Sequence, residues 1–253
     1  MEMQRNMNYI VLDLEFNQYY KSSKETETII STCPFEIIQF GAVKLDEKLN
    51  KISTFNSFVK PEIYTELSPI ISKITGITEE TLISAPDHNL VYKNFIEFIG
   101  KERSILCVWG KADIKELYRN FAYHNFDISI IPKEYIDLQK YASKYFNCPK
   151  GILMGLKNAV ELFHIPLNNN FHDALSDAKY TAKVFRKIIN KTIIPKLYDP
   201  NKPKIQRKKT SSKIDFNKLF MQFEKMYNRE MSKEEKSIIK LAYMMGKTNQ
   251  FRK

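Results

Sequence analysis

The sequence predicts an α/β layered domain, a mixed five-stranded sheet flanked by helices, followed by a C-terminal helical appendage. Three observations predict it. Runs rich in β-branched and aromatic residues alternate with stretches of helical periodicity through the second half of the body. The first run, NYIVLDLEFN from Asn8, is apolar on both of its faces, as a central strand covered on both sides requires. A stretch rich in proline, serine and lysine then separates this body from two further helical stripes.

The elements follow in order. In NYIVLDLEFN, Ile10, Leu12, Leu14 and Phe16 share one face and Tyr9, Val11, Asp13 and Glu15 the other. Residues 17–35 are polar and read as a long, functional loop. EIIQFGAVKL (36–45) and KISTFNSFV (51–59) read as an antiparallel hairpin across the turn DEKLN. Short helical pieces follow around Ser68–Thr81, and Leu90–Gly100 is an amphipathic helix. ILCVW (105–109) is a buried strand bounded by Ser104 and Gly110. In residues 112–124, Ile114, Leu117, Tyr118 and Phe121 recur at helical spacing. Tyr135–Leu138 supplies a last short strand, and residues 153–163 and 173–190 two more helices. The resulting order, β-β-β-α-β-α-β-α-α, is that of a layered mixed sheet. The first domain is expected to span residues 1–198 and a basic linker 199–214. A helical hairpin is expected over 215–253. In it, Ser232 and Glu235 form a capping box and Gly246 caps the second helix.

Composition excludes several classes of function. Of 253 residues 43% are apolar, enough for a sizeable core. No apolar run approaches the roughly 18 residues of a membrane span. The start, MEMQRNMNYI, lacks a signal-peptide core, so secretion is not expected. Three scattered cysteines, Cys33, Cys107 and Cys148, form no disulfide or zinc framework, and a cytoplasmic setting is expected. Neither glycine-rich phosphate loop is present among the seven glycines. The net charge of +11 is concentrated: from Asn201 onward there are fifteen Lys and Arg against five Asp and Glu, a net of +10. A basic tail on a nearly neutral body predicts a polyanionic partner, nucleic acid first.

Certain carboxylates do not fit a core. Asp13 and Glu15 interrupt an apolar strand on one face. Alone, they could mark a strand end emerging into solvent. Asp113 follows the fourth strand at a helix entry, where it could cap that helix or interact with its dipole. In FHDALSDA, His172 stands five residues before Asp177; Asp173 can cap that helix, which leaves Asp177 unexplained. His88, His124 and His164 lie in ordinary contexts and are assigned no role.

Together VLDLEFN, WGKADIKEL and HDALSDA resemble the motifs of the DEDDh branch of the DnaQ-like 3′→5′ exonucleases, which have a ribonuclease H-like fold. EIIQFGAVKL and KITGIT are further echoes. The resemblance covers about residues 8–190 and is greatest to the KapD and histone-mRNA-exonuclease-like group. The chain departs from many relatives by having Phe16 and Asn17 where they carry Thr or Ser after D-x-E.

The resemblance implies a fold, an activity and a set of roles. Asp13, Glu15, Asp113 and Asp177 would hold two Mg²⁺ or Mn²⁺ ions. Asp13 would bridge them, Glu15 and Asp177 would complete the nucleophile-side site, and Asp113 would act from the outer shell. His172 would be the general base, and Leu14, Phe16 and Ile77 would contact the terminal nucleotide. The substrate would be single-stranded RNA or DNA, RNA slightly favoured, and the product a nucleoside 5′-monophosphate. A protein partner through the C-terminal helices is the rival role for the tail. The competing readings of the whole are a non-catalytic nucleic-acid-binding or regulatory module on the same fold, and an oligoribonuclease or proofreading subunit.

Overall fold

The computed structural model describes residues 7–19, 32–149, 151–167, 171–201 and 215–247, without the side chains of residues 244–247. Most of the expected polar loop and nearly all of the expected linker lie outside the described residues. The chain divides between Lys202 and Pro203 into two compact units.

The first unit is built on β1 (Met7–Asn17), β2 (Glu36–Leu45), β3 (Lys51–Phe58), β4 (Arg103–Val108), β5 (Glu134–Asp137) and β6 (Lys196–Leu197). They form one mixed sheet in the order β3-β2-β1-β4-β5-β6. β1 pairs antiparallel with β2 and parallel with β4, so it is the central strand its sequence predicts. The sixth strand corrects the five-strand expectation. Two residues after the last body helix pair antiparallel with β5, and Tyr198 donates its N–H to Lys133 O at 2.8 Å. Tyr198 also lies 4.8 Å from the ring of Tyr118. A two-residue strand carries no alternation that a sequence pattern could register.

Among the described residues the helices of this unit are α1 (Pro69–Thr75), α2 (Glu79–Ile83), α3 (His88–Ile99), α4 (Ala112–Tyr123), α5 (Leu138–Tyr145), α6 (Leu156–Leu162) and α7 (Ala174–Ile188). The alternation along β1 decides which residues meet which layer. Ile10, Leu12 and Leu14 pack with α3 and α4 through Val91, Phe95, Leu117 and Phe121. Val11 packs on the other face with α5, α6 and α7 through Ala142, Val160, Ala178 and Val184. Asp13 and Glu15, in step with Val11, therefore face the α7 side.

One glycine permits the closest approach in this layer. Gly41 on β2 lies opposite Asp13 in the register. A Cβ there would sit 2.0 Å from the backbone carbon of Ala174 and 2.1 Å from the nitrogen of Leu175. The start of α7 thus rests directly on the sheet beside Asp13, which no side chain at position 41 would allow.

The second unit contains α8 (Phe216–Tyr227) and α9 (Lys233–Lys247). Asp215 caps α8, and Asn228 ends it in the left-handed conformation at φ 49°. The expected capping box is present: Ser232 N donates to Glu235 Oε2 at 2.9 Å, and Glu235 N donates to Ser232 Oγ at 3.2 Å. The two helices meet through Phe216 and Tyr243, with ring centroids 5.5 Å apart, and through Lys236 and Glu224 at 2.9 Å. Gly246 does not end α9, which runs on to Lys247. A glycine is tolerated inside a helix at a cost of about 1 kcal/mol. Among the described residues no helix is long and apolar enough to cross a membrane.

Gly41→Ala tests the close approach. Its methyl would overlap main-chain atoms that have no rotamer to escape into. Overpacking of this kind costs about 1–3 kcal/mol or more. Thermal unfolding should show a fall of about 2–4 °C for each kcal/mol. An unchanged melting temperature would mean that α7 is not held against β2.

Candidate active site

The β1 carboxylates lie at the end of the strand that points toward the starts of α4 and α7. Asp13 and Glu15 are half-buried. Asp113 enters in the first turn of α4, directly after β4, and Asp177 in the first turn of α7. A carboxylate in the first turn of a helix interacts favourably with the helix dipole. The backbone N–H groups of Asp113 itself and of Leu14, the β1 residue between Asp13 and Glu15, act on the Asp113 carboxyl to lower its pKa against the effect of burial. Asp177 accepts from the backbone N–H of His172 at 3.1 Å. His172 itself has φ 66°, an uncommon conformation for a residue with a side chain. The described ligand atoms of Glu15, His172 and Asp177 all lie within 4.8 Å of one another.

Of the residues that position α7, the sequence indicated the cap Asp173 and missed Gln39. Asp173 caps the helix by accepting from Ser176 N at 3.0 Å and from Ser176 Oγ at 2.6 Å. Gln39, opposite Glu15 on β2, donates to Asp173 Oδ1 at 2.8 Å and accepts from Ala174 N at 3.3 Å. The signal was a buried glutamine two residues before Gly41, which apolar periodicity alone does not pick out. Asn17 was also missed. It is fully buried, donates to Tyr64 O at 2.8 Å and Glu66 O at 2.9 Å, and accepts from Ser68 N at 3.0 Å. The departure from Thr or Ser after D-x-E therefore fixes the segment that follows β3.

The expected nucleotide-contact residues are not alike. Leu14 and Ile77 are 4% and 5% exposed. Leu14 packs in the α3–α4 core, and Ile77 in a satellite with Ile38, Leu67 and Leu82. Phe16 is half-buried, with its ring 6.2 Å from that of Phe35.

The electrostatics of the cluster are those of like charges crowded into a partly dry site. Burial pushes Asp13 well above the usual carboxylate range, and Asp113, Asp177 and Glu15 add to the rise. Glu15 is pushed up to about 8 by burial and then by Asp177 and Asp113. Asp113 is pushed up to about 7, mainly by burial. Asp177 is raised by burial, against the hydrogen bond from His172. Asp173 behaves oppositely: burial would raise it, but the hydrogen bonds from Ser176 and Gln39 outweigh burial and lower it. The helix cap is thus a satisfied anion, while the four motif carboxylates crowd against one another, with His172 acting on Asp177 in the opposite sense. Asp177 Oδ1 is buried without a hydrogen-bond partner among the described residues. An all-oxygen, anionic donor set of this kind fits hard divalent cations.

Stability should carry this imprint. A carboxyl raised in the folded state stabilises the fold below its unfolded value, and that stability is lost as pH rises through the folded value. For Glu15 the window runs from 4.5 to about 8. Metal-free protein should melt at progressively lower temperature across it, and Glu15→Gln should flatten the trend. Mn²⁺ should raise the melting temperature more near pH 8 than near pH 5, because binding must displace protons. Identical pH profiles for the variant and the parent would remove Glu15 from the cluster.

The geometry agrees with comparisons to known proteins. A family model described as Exonuclease matches residues 10–185. ERI1 exoribonuclease 3 of Bos taurus is 28% identical over 163 residues, 60% of this chain and 48% of that protein. The PolC-type DNA polymerase III of Caldanaerobacter subterraneus is 30% identical over 173 residues, 65% of this chain and 11% of that protein. The chain spans about half the length of the first of these relatives. The solved nuclease domain of 3′hExo, a DEDDh family member, bound to rAMP, superposes with a TM-score of 0.61 at 23% identity, covering 77% of this chain and 96% of that one. Cell-death related nuclease 4 superposes with a TM-score of 0.59 at 21% identity, covering 76% of this chain and 66% of that one. With one family model matched over more than half of its length, the chain belongs to the exonuclease family.

Proposed function

We propose that the protein is a 3′→5′ exonuclease that hydrolyses the terminal phosphodiester of single-stranded nucleic acid, RNA favoured over DNA, and releases nucleoside 5′-monophosphates. The observation that carries the reading is the convergence of Asp13, Glu15, Asp113, His172 and Asp177, with the carboxylates raised by burial and mutual repulsion. A non-catalytic module would gain nothing from four crowded carboxylates, whose self-repulsion weakens the fold.

Asp13, Glu15, Asp113 and Asp177 would hold two Mg²⁺ or Mn²⁺ ions, with Asp13 shared and Asp113 acting from behind. Such ions, when bound, acidify water and neutralise charge on the phosphate and the leaving oxygen. Within the protein, Glu15 and Asp177 orient the attacking water by accepting from it. A ring nitrogen of His172 takes the water's proton. The backbone of His172 is fixed to Asp177 while its side chain is exposed, so the ring can swing onto the water and exchange its proton with solvent. Phe16 offers a half-buried face against which the terminal base or sugar can rest. Leu14 packs behind it and Ile77 packs in the neighbouring satellite cluster, so both would shape the nucleotide site by supporting its wall.

The basic tail extends the reading. Its Lys and Arg would neutralise phosphates of a longer strand, while Lys236 and Lys240 stand over the ring of Phe220 at 5.9 and 5.6 Å. The rival role, a protein partner, is favoured by the exposure of Met221, Met226, Tyr227, Ile238 and Leu241 on these helices.

End-labelled single-stranded RNA and DNA, incubated with Mg²⁺ or with EDTA, test the activity directly. Labelled 5′-monophosphates should appear from the 3′ end only with metal. Asp13→Asn should abolish hydrolysis while the protein still folds. His172→Ala should lose about 10²–10⁴ in rate together with the rising limb of the pH profile. Near-parental turnover in Asp13→Asn would sink the assignment.

The tail is tested separately in the full chain. Replacing Arg207, Lys208 and Lys209 by Ala should flatten the salt dependence of binding to long strands, by about 0.7 in log–log slope for each phosphate no longer neutralised. An unchanged slope would favour the protein-partner role.

A further inference from the structure

Away from the carboxylate cluster, a second group of potential ligands meets where three elements end. Glu62 follows β3, His88 is the first residue of α3, and His124 directly follows α4. Their donor atoms lie within 4.8 Å of one another, although the residues are far apart in sequence. Three features set the group apart from a core histidine with an ordinary partner.

First, His88 is 8% exposed, and its Nδ1 is buried without a hydrogen-bond partner among the described residues. Glu62 Oε1 lies 3.1 Å from that nitrogen, close enough for attraction but poorly aligned for a hydrogen bond. Leaving such an atom unsatisfied is costly, so its lone pair is in search of a partner. Second, the rings of His88 and His124 are stacked, with centroids 3.7 Å apart and planes inclined by 27°. Two neutral imidazoles tolerate that contact, and the rings must turn apart about their side-chain bonds for both to aim a nitrogen at one ion. His124 is half-buried beside His88, and burial and His88 both act to lower its pKa. Third, the backbone that carries Glu62 is fixed. Buried Glu36 accepts from the N–H groups of Glu62, Ile63 and Tyr64 at 2.6, 2.9 and 2.7 Å. Tyr92 and Phe126 wall the rings, at 5.8 and 6.3 Å from His88.

We propose that Glu62, His88 and His124 form a second metal site, distinct from the carboxylate cluster, which binds Zn²⁺ through two imidazole nitrogens and one carboxylate oxygen. The donor set decides the cation. Two nitrogens and one oxygen suit Zn²⁺ and its late first-row neighbours, whereas Mg²⁺ takes oxygen ligands. The Glu62 side chain is 49% exposed, so a cation can enter from solvent and water can complete four-coordination. Bound there, the ion pins the segment after β3 to α3 and α4. The same segment is held at its far end by Asn17, the last residue of the strand that carries Asp13 and Glu15. The site is therefore a clamp on the wall behind β1.

The experiment uses metal-stripped, full-length protein in millimolar Mg²⁺, which occupies oxygen sites, and titrates Zn²⁺ against a chromophoric chelator. One Zn²⁺ per chain should bind, and the melting temperature should rise with it. Co²⁺ in its place should give visible absorption bands of a low-coordinate site. Glu62→Gln and His124→Gln keep side-chain volume. Each should weaken Zn²⁺ binding by about tenfold or more, since loss of a ligand costs at least what loss of an outer-shell partner does. Zn²⁺ binding and the Co²⁺ bands should survive in Asp13→Asn/Asp177→Asn. Binding that vanishes in that double variant, or that is unchanged in both Gln variants, would overturn the proposal. So would the absence of Zn²⁺ binding with a melting temperature that falls in Glu62→Gln regardless of metal, which would identify a simple His–Glu ion pair.

Discussion

The seating of α7 on Gly41 is the contact from which the rest of this architecture follows. A central strand carrying two carboxylates cannot be buried on that face by ordinary packing, because each charge must keep a solvating or counter-ionic partner. Here the helix that closes over the strand brings another carboxylate with it. The close approach at Gly41 and the Gln39–Asp173 hydrogen bond fix where Asp177 arrives. The apolar layers on both sides of β1 offset the repulsion that results, with Val11 and Ala178 on one side and Leu12, Leu14 and Leu117 on the other. The fold stores charge repulsion in a place where a cation can relieve it.

The opposite rim of the strand is managed by neutral and satisfied groups. Asn17 closes the end of β1 with three hydrogen bonds to the segment after β3. Glu36, across the register, accepts three backbone N–H groups from that same segment. Burial raises Glu36, but these hydrogen bonds act against the rise. Asn120 joins α4 to this region by accepting from Ile37 N at 3.0 Å and donating to Phe35 O at 2.9 Å. Two kinds of buried polar side chain therefore flank one strand. One kind is fully partnered and holds backbone; the other is left with free acceptors and faces the site. The contrast separates scaffold from chemistry without reference to any relative.

How far this was legible in the sequence depends on how local each signal is. β1, β2, β3 and α7 carry long stretches of regular periodicity, and they lie where the pattern predicts. Asp13, Glu15 and Asp177 stood out because each interrupts its pattern or exceeds what a helix cap needs, while Asp113 and His172 were picked out by the resemblance of the ordered motifs. β6 is too short to have a period. Gly41 reads as one glycine among strand residues, and only the register with Asp13 and the path of α7 give it meaning. Asn17 and Gln39 are polar residues whose partners lie 47 and 134 positions away. His88 and His124 each sit in an ordinary helical context. Their stacking is created by the packing of α3 on α4, which also brings Tyr92 face to face with Phe121 at 4.4 Å.

Donor chemistry keeps the two clusters apart. At β1 the ligands are carboxylate oxygens, and their shared negative charge selects small hard cations that tolerate water as a further ligand. Behind it, two stacked imidazoles and a single carboxylate carry at most one negative charge among them, which favours a cation that bonds well to nitrogen. A late transition ion can also bind carboxylates, so under the proposed function selectivity at β1 would rest on cation abundance and on His172 serving as the base and not as a ligand. A nitrogen site elsewhere in the fold then has a second consequence. It competes for scarce transition ions and leaves the oxygen site to the abundant one. With both proposed sites filled, one chain would use metal charge for two purposes, to hold a wall in place and to relieve the repulsion that the seating of α7 creates.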